Sequence, residues 1–265
     1  MKKLMVVFLF LSVILIIGVT GCDSPGEDAG VWDEIQETGV LKVGTSADYP
    51  PWEYVDEAGE FVGYDMDLIR LIGDHMGVEV EITDISFEAL IAAVKEGRIH
   101  AAIACMNATP ERKEQVAFSD PYWSITSTPV ISTDAEFTID SIEDVFGLVI
   151  GVQTGTTEEE WLNEQVEAGN IDEGDLFRYE RNDQAMMDLV AGRLDAVFID
   201  ASVGKSFSRT MDVQTTVEED LSGYPLGIAL VEGDAELLAA VNAAIADLIE
   251  QGVMEELAEQ HLVFE

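Results

Sequence analysis

Residues 88–104 read EALIAAVKEGRIHAAIA and residues 184–199 read QAMMDLVAGRLDAVFI, one pattern written twice. Each has apolar residues at helical spacing, then Gly-Arg, then a short run rich in alanine and branched residues that reads as a buried strand. A chain of 265 residues with 48% apolar content has enough to bury one large core or two modest ones, and strand-like runs alternating with helix-like runs point to α/β. The duplication therefore predicts two similar α/β lobes, each with its own sheet.

Around the repeats, LKVGT (41–45) reads as a strand, Asp65 to Met76 as an amphipathic helix and VEVEIT (78–83) as an alternating strand. Phe87 to Glu96 reads as a helix and HAAIACM (100–106) as a buried strand, which together start a doubly wound sheet. After PYWSITSTPVIST the unit restarts with LVIGV (148–152), a helix from Thr157 to Glu167, the strand-like LFRYE, a helix around Gln184 to Ala191 and the strand DAVFI. The last part, YPLGIALV and two helices from Ala235 to His261, has no strand repeat of its own and is expected to pack back on the first lobe. Two hinge crossings are placed near Ser127 to Ile131 and near Gly223 to Gly227. The expected division is a signal peptide at 1–21, a lipidated N-terminus and tether at 22–32, a first lobe at 33–128, a second lobe at 129–225 and a return segment at 226–265.

The opening MKKLMVVFLFLSVILIIGVTGC sets Lys2 and Lys3 before an unbroken apolar run and closes on small residues. That is the pattern of a secretory signal, and Val19-Thr20-Gly21-Cys22 resembles the lipobox of bacterial and archaeal lipoproteins, in which the cysteine is lipidated. The alternative, an uncleaved membrane anchor, asks the run to reach a span of about 20 residues, for which it is short. On either reading the chain works outside the cytoplasm and stays at a membrane. DSPGEDAG (23–30) is small, polar and turn-forming, as a flexible tether would be.

With Cys22 lipidated, Cys105 has no disulfide partner, since the sequence holds two cysteines. Cys105 ends an apolar strand and reads as a buried thiol rather than a nucleophile, because His75, His100 and His261 are scattered. No metal-ligand spacing and no Gly-rich phosphate loop is present, so no cofactor is implied. The formal charge is −40, and losing Lys2 and Lys3 leaves 11 basic residues against 53 acidic ones. Such a surface rejects nucleic acid, repels itself in dilute buffer and suits a salty exterior where counterions screen it, a halophilic character.

In open α/β sheets ligands sit beyond the carboxyl ends of strands, so two facing lobes place both sets of strand ends on one cleft. After LKVGT come Ser46, Asp48, Tyr49 and Trp52; after HAAIACM come Asn107, Thr109 and Arg112; after LVIGV come Thr154 to Thr157; after DAVFI comes Asp200. The first lobe thus offers a guanidinium and the second a carboxylate, flanked by hydroxyls and by N–H groups at a helix start. Opposite charges on opposite walls suit a zwitterion.

At these residues the chain resembles the extracellular solute-binding proteins of polar amino-acid ABC importers, family 3, over about Val40 to Phe264. The most specific marker is Gly63-Tyr64-Asp65-Met66-Asp67-Leu68, joined in order by PPWEY (50–54), Thr109-Pro110-Glu111-Arg112, AFSDPYW (117–123), GVQTGTT (151–157) and AGRLDA (191–196) followed by Asp200. The resemblance implies a two-lobed periplasmic-binding-protein-like fold with a ligand cleft between the lobes. It implies that Arg112 grips an α-carboxylate, helped by Asn107, Thr156 and Thr157, and that Asp200 receives the α-ammonium. Tyr49 and Phe87 match aromatic positions that sandwich the ligand side chain, and Ser46 and Cys105 complete the ligand-binding set. Asn107 departs from the family's usual Ser or Thr, and Ser46 stands where some relatives carry an aspartate.

Blander roles stand beside these. Arg112 reads also as a surface charge on PERKE, and Asp200 as the N-cap of the following helix. Asp65 and Asp67 read as caps of their helix, Trp52 and Tyr54 as either core, hinge or pocket, and the two Gly-Arg pairs as plain turns. Asp48, Glu88 and Glu158, near pocket-lining segments, favour a cationic or amide ligand side chain. The resemblance further implies a monomer that closes on an amino acid and docks on an ABC transporter permease. The same fold carries catalysis in cyclohexadienyl dehydratases, where Asp48 or Glu158 would be the acid, and serves as a sensor of membrane kinases; the latter is disfavoured, as no kinase region or second span follows Glu265.

Overall fold

The computed structural model describes residues 30–263. The signal segment, Cys22 and all of the tether before Gly30 lie outside the described residues. Val31 and Trp32, assigned to the tether by sequence, already belong to a helix, Val31–Thr38. The Trp32 N–H donates to Asp234 at 2.8 Å, tying this helix to the start of the helix Ala235–Glu250.

Two five-stranded sheets organise the rest. The first runs, in spatial order, Glu79–Asp84, Val40–Thr45, Ala101–Ala102, Ala229–Leu230 and Ala117–Phe118. The second runs Leu176–Tyr179, Ile150–Gln153, Ala196–Asp200, Ser127–Ser132 and Val213–Thr215. In each, the strand of the sequence repeat is central, parallel to one neighbour and antiparallel to the other. A strand covered on both faces should be apolar at every position. Along the first repeat Ala101, Ile103 and Cys105 enter one core while Ala102, Ala104 and Met106 enter another. Along the second, Val197 and Ile199 face one core and Ala196 and Phe198 the other, the two-residue alternation of a strand.

Ser127–Ser132 pairs over five positions with Ala196–Asp200, so the crossing expected there lies just before it and Ser127 and Thr128 sit in the second sheet. The bridge Ser127↔Glu219 and the bridge Trp123↔Leu226 bind the outgoing and returning chain side by side. YPLGIALV does return to the first sheet, through Ala229–Leu230, and the helices Ala235–Glu250 and Val253–His261 follow it. Phe87 to Glu96, read as one helix, is a 3-10 turn Phe87–Ala89 followed by the helix Leu90–Lys95. Among the described residues no single helix is long and apolar enough to cross a membrane.

The helix Tyr64–Met76 buries Met66, Leu68, Ile69 and Ile72 and stops at Gly77, whose φ of 73° lets its N–H reach back to Asp74 O. Gly63 opens it at φ 122°, where a Cβ would sit 2.3 Å from Trp52 O, so only glycine fits. Neither Asp65 nor Asp67 caps this helix, which has no side-chain cap. Asp67 pairs with His261 at 2.8 Å, and Asp65 is buried under the cleft. A small antiparallel sheet of Asp48–Tyr49, Glu53–Val55 and Phe61–Val62 carries two cleft residues, Tyr49 and Glu53, across the first lobe's strand ends.

Candidate ligand-binding cleft

One cavity of about 320 Å³, counting its mouth, lies where the strand ends of the two sheets face each other. All nine residues proposed from sequence line it: Ser46, Tyr49, Phe87, Cys105, Asn107, Arg112, Thr156, Thr157 and Asp200. Glu53, Ala104, Gln153 and Glu158 join them. Asp48, Trp52 and Glu88 do not.

Arg112 follows the first repeat. Thr109 caps the short helix Pro110–Lys113, with Pro at its first position, and that turn brings the guanidinium back over Phe87 at 5.3 Å. One terminal nitrogen donates to Asn107 O at 2.8 Å and the other to Gly155 O, in the second lobe, at 2.9 Å. Three of the five N–H donors of an arginine are then left for a further acceptor. No described carboxylate forms an ion pair with it; burial pulls its pKa down, opposed by the more distant Glu160, Glu158 and Glu111. It is a buried cation rather than a surface charge.

Asp200 ends the second repeat's strand. It occupies the N-cap position of the helix Ala201–Phe207, yet its side chain makes no cap hydrogen bond. Its Oδ2 accepts the Cys105 thiol at 3.4 Å from the other lobe, its backbone N–H donates to the Tyr49 hydroxyl at 3.1 Å, and Oδ1 is buried without a partner. Burial, then Glu158, pushes its pKa well above the carboxylate range. A buried acceptor left open at a cavity wall is costly unless a donor reaches it.

The remaining lining is tied across the cleft. Thr156 caps the helix Thr157–Glu167 by accepting from Glu159 N–H, and its own hydroxyl donates to Gln153 O at 2.8 Å. Asn107 uses both ends of its amide: Nδ2 donates to Tyr224 O at 2.7 Å and to Ser222, and Oδ1 accepts from Thr157 at 3.1 Å. A hydroxyl at this position would lack that reach, which gives the departure at Asn107 a role in joining the lobes. Glu158 accepts from Ser127 at 2.6 Å. Trp52 is core, fully buried against Tyr64, with its indole N–H donating to Ser202 of the second lobe at 2.8 Å.

Glu53 was missed because an acid inside PPWEY looks like a solvent-facing strand residue. Its signal was the apolar company on both sides of it. Glu53 Oε2 and Asp65 Oδ1 are both buried without a donor, and the two carboxyls lie close enough for each to shift the other's titration. Burial drives Asp65 up to about 7 and Glu53 well above its ordinary value. The other Asp65 oxygen accepts Cys105 N–H at 2.7 Å and the Tyr122 hydroxyl at 3.0 Å. Cys105 there has φ 47°, the one positive φ outside glycine among the described residues.

The L-cystine-binding protein TcyJ of Escherichia coli (strain K12) is 30% identical over 234 residues, 88% of this chain and 86% of its own. An ancestral arginine-binding protein bound to arginine matches in structure with a TM-score of 0.79 at 34% identity, over 84% of this chain and 97% of that one. The ancestral amino acid-binding protein AncCDT-1, a precursor of cyclohexadienyl dehydratase, matches with a TM-score of 0.79 at 32% identity, over 88% of this chain and all of that one. The family model for bacterial extracellular solute-binding proteins, family 3, matches residues 41–264. That match runs through both sheets and the return to the first, and the chain belongs to this family of extracellular solute-binding proteins.

Proposed function

We propose that the chain captures an α-amino acid, polar or cationic in its side chain, by closing two lobes on it, and hands it as a monomer to an ABC permease while held at the outer membrane surface by lipid on Cys22. The observation that carries this reading is a buried guanidinium and a buried carboxyl on one cavity: Arg112 from the first lobe, with no ion pair among the described residues, and Asp200 from the second, with Oδ1 open. An α-carboxylate at the first and an α-ammonium at the second would pair both, and only when the lobes meet, so the ligand favours the closed form. Thr156, Thr157 and the helix start beside them add donors for the carboxylate. Tyr49 and Phe87 would flank the side chain, with Glu53, Gln153 and Glu158 offering it polar partners. The relatives named for cystine and arginine support an amino acid as cargo.

The test is a thermal-shift screen of the twenty amino acids in high salt, where the acidic surface is screened. A ligand at 100 times its Kd adds about 2.7 kcal/mol; stabilisation by none of them overturns the reading. A second reading, a dehydratase, is favoured only by Glu158 on the cavity wall and by the relation to AncCDT-1; Asp48 lies off the cavity. Aromatic product from prephenate or arogenate, lost in Glu158→Gln, would establish it. Lipid attachment is checked by the mass of the mature protein and by its loss in Cys22→Ser.

A further inference from the structure

We infer that Asp48 is a positioning residue for lobe closure: from the first lobe it supplies the N-terminal cap that the second-lobe helix Asn182–Val190 lacks, and Arg181 straps the same seam shut. The first N–H groups of any helix have no acceptor within it and need one from outside. Here the cap position is held by Arg181, in extended conformation and with no side-chain cap bond. The N–H of Asn182 instead donates to Asp48 Oδ2 at 2.5 Å, across 134 residues of sequence. Both residues are buried, Asn182 at 1% and Asp48 at 6% exposure, so water does not serve that N–H while the lobes touch. A carboxylate is well suited to the positive end of a helix. The other Asp48 oxygen accepts the Ser46 hydroxyl at 3.0 Å, which aims the carboxylate from its own lobe.

Arg181 binds the first lobe alone besides its neighbour Asp183 at 3.8 Å: one nitrogen donates to Asp84 at 3.1 Å, another to Ala47 O at 3.1 Å, and Asp48 Oδ1 lies 4.0 Å away. In a chain with 53 acidic and 13 basic residues, approach of the lobes brings acid against acid, and a cation on the seam offsets it. The seam also reaches the cavity. Asn182 Nδ2 donates to Gln153 Oε1 at 2.7 Å, and Gln153 lines the cleft, so capping Asn182 fixes one wall residue. None of Asp48, Arg181 or Asn182 lines the cavity. Their contribution therefore belongs to closure itself and adds alike to every ligand that closes the lobes.

The experiment is residue-resolved amide exchange on the full chain, ligand-free and with whichever amino acids stabilise it, for wild type, Asp48→Ala, Asp48→Asn and Arg181→Ala. Loss of a helix cap costs about 0.5–2 kcal/mol, so Asp48→Ala speeds exchange at Asn182 roughly 2- to 30-fold, while amides of the strand Ile150–Gln153 in the same lobe keep their rates. Asp48→Asn retains protection, because its amide oxygen accepts the same bond and its charge is gone. Arg181→Ala gives a smaller acceleration that shrinks as salt screens the Asp84 pair. In titrations, which rest on the proposed function, Asp48→Ala weakens all bound amino acids by one common factor. The exchange arm needs no ligand, so failure of the amino-acid reading leaves it standing. Equal exchange at Asn182 in wild type and Asp48→Ala, with and without ligand, overturns the inference, as does an Asn variant that exchanges as fast as the Ala variant.

Discussion

In the first lobe Gly97 closes its helix at φ 68° and Arg98 N–H reaches back to Ala93 O; in the second Gly192 does so at φ 70° and Arg193 N–H reaches back to Asp188 O. Each strand then starts four residues after its glycine, at Ala101 and at Ala196. Each pairs, at the fifth residue, with a glycine of the neighbouring parallel strand: Ala102 with Gly44, and Val197 with Gly151. The reason for those glycines is the same in both lobes. A Cβ on Gly44 would meet the tip of Ile99 at 2.5 Å, and one on Gly151 the tip of Leu194 at 2.5 Å, the residues two past each turn glycine. Beyond this point the lobes differ. The second strand continues through five residues to Asp200 because Ser127–Ser132 pairs along all of it, whereas the first has on its antiparallel side only Ala229–Leu230 and is paired there for two residues, Ala101 and Ala102. The local pattern sets turn and register; the length of the neighbouring strand sets where the chain exits, and so which charge reaches the cleft.

The hardest test of one charge per lobe is to remove each. Arg112→Ala and Asp200→Ala should each weaken amino-acid binding by about 2–5 kcal/mol, since each leaves a ligand charge buried and unpaired. Arg112→Lys should recover little, because an ammonium lacks the planar fork. A methyl ester of the ligand should harm wild type badly and the Arg112→Ala protein much less. Isothermal titration that finds the ester equally harmful to both would show that Arg112 holds something other than the carboxylate.

A smaller effect sharpens the likeness rather than the difference. Gly44→Ala and Gly151→Ala should each destabilise by about 1–3 kcal/mol by overpacking. The clash is with a flexible tip in each case, so Ile99→Val should relieve the first and Leu194→Val the second, with no crossed rescue. Denaturant midpoints of the four single and four double variants decide it. Crossed rescue would mean the glycines answer to something other than their own turn.

The parts readable from sequence were those fixed by local spacing. Helix periodicity, Gly-Arg turns and strand ends lie within a few residues of one another, and Arg112 and Asp200, read from them, line the same cavity. What escaped was set by partners far along the chain. HAAIACM looks like seven residues of strand, but only contact with Ala229–Leu230 decides that it pairs for two. Asp65 looks like a cap because it opens a helix; its actual partner is Cys105 N–H, 40 residues on. Asp48 follows a strand end as a pocket residue should, and is claimed by Asn182, 134 residues on. Carboxylates are so many in this chain that none announces its own burial.

The smallest expected effect concerns the way the first repeat leaves its sheet. Its exit turns on Cys105 at φ 47°, whose N–H is held by Asp65, and Asp65 in turn lies beside the buried Glu53 carboxyl. The second repeat passes straight into its helix at Asp200 with no such prop. Burial raises Asp65 to about 7 and Glu53 well above its usual range, so the folded pair keeps a proton that the unfolded chain releases near pH 4. Stability from this proton is complete below the unfolded value and is lost as pH rises through about 7. For one proton with a folded pKa near 7, the loss between pH 6 and pH 8 is about 1.4 kcal/mol. Asp48, raised to about 6 by burial, and Asp200, also raised by burial, act with the same sign, so the informative quantity is a difference between variants at one salt concentration. In Glu53→Gln an amide N–H can donate to Asp65, which can then stay ionised while still holding Cys105. Its stability should therefore fall less steeply from pH 6 to pH 8 than that of wild type, as read from urea unfolding at several pH values. Parallel pH profiles for the two proteins would mean that the turn at Cys105 stands without a proton held by the two carboxyls, and the contrast between the two exits would then rest on backbone geometry alone.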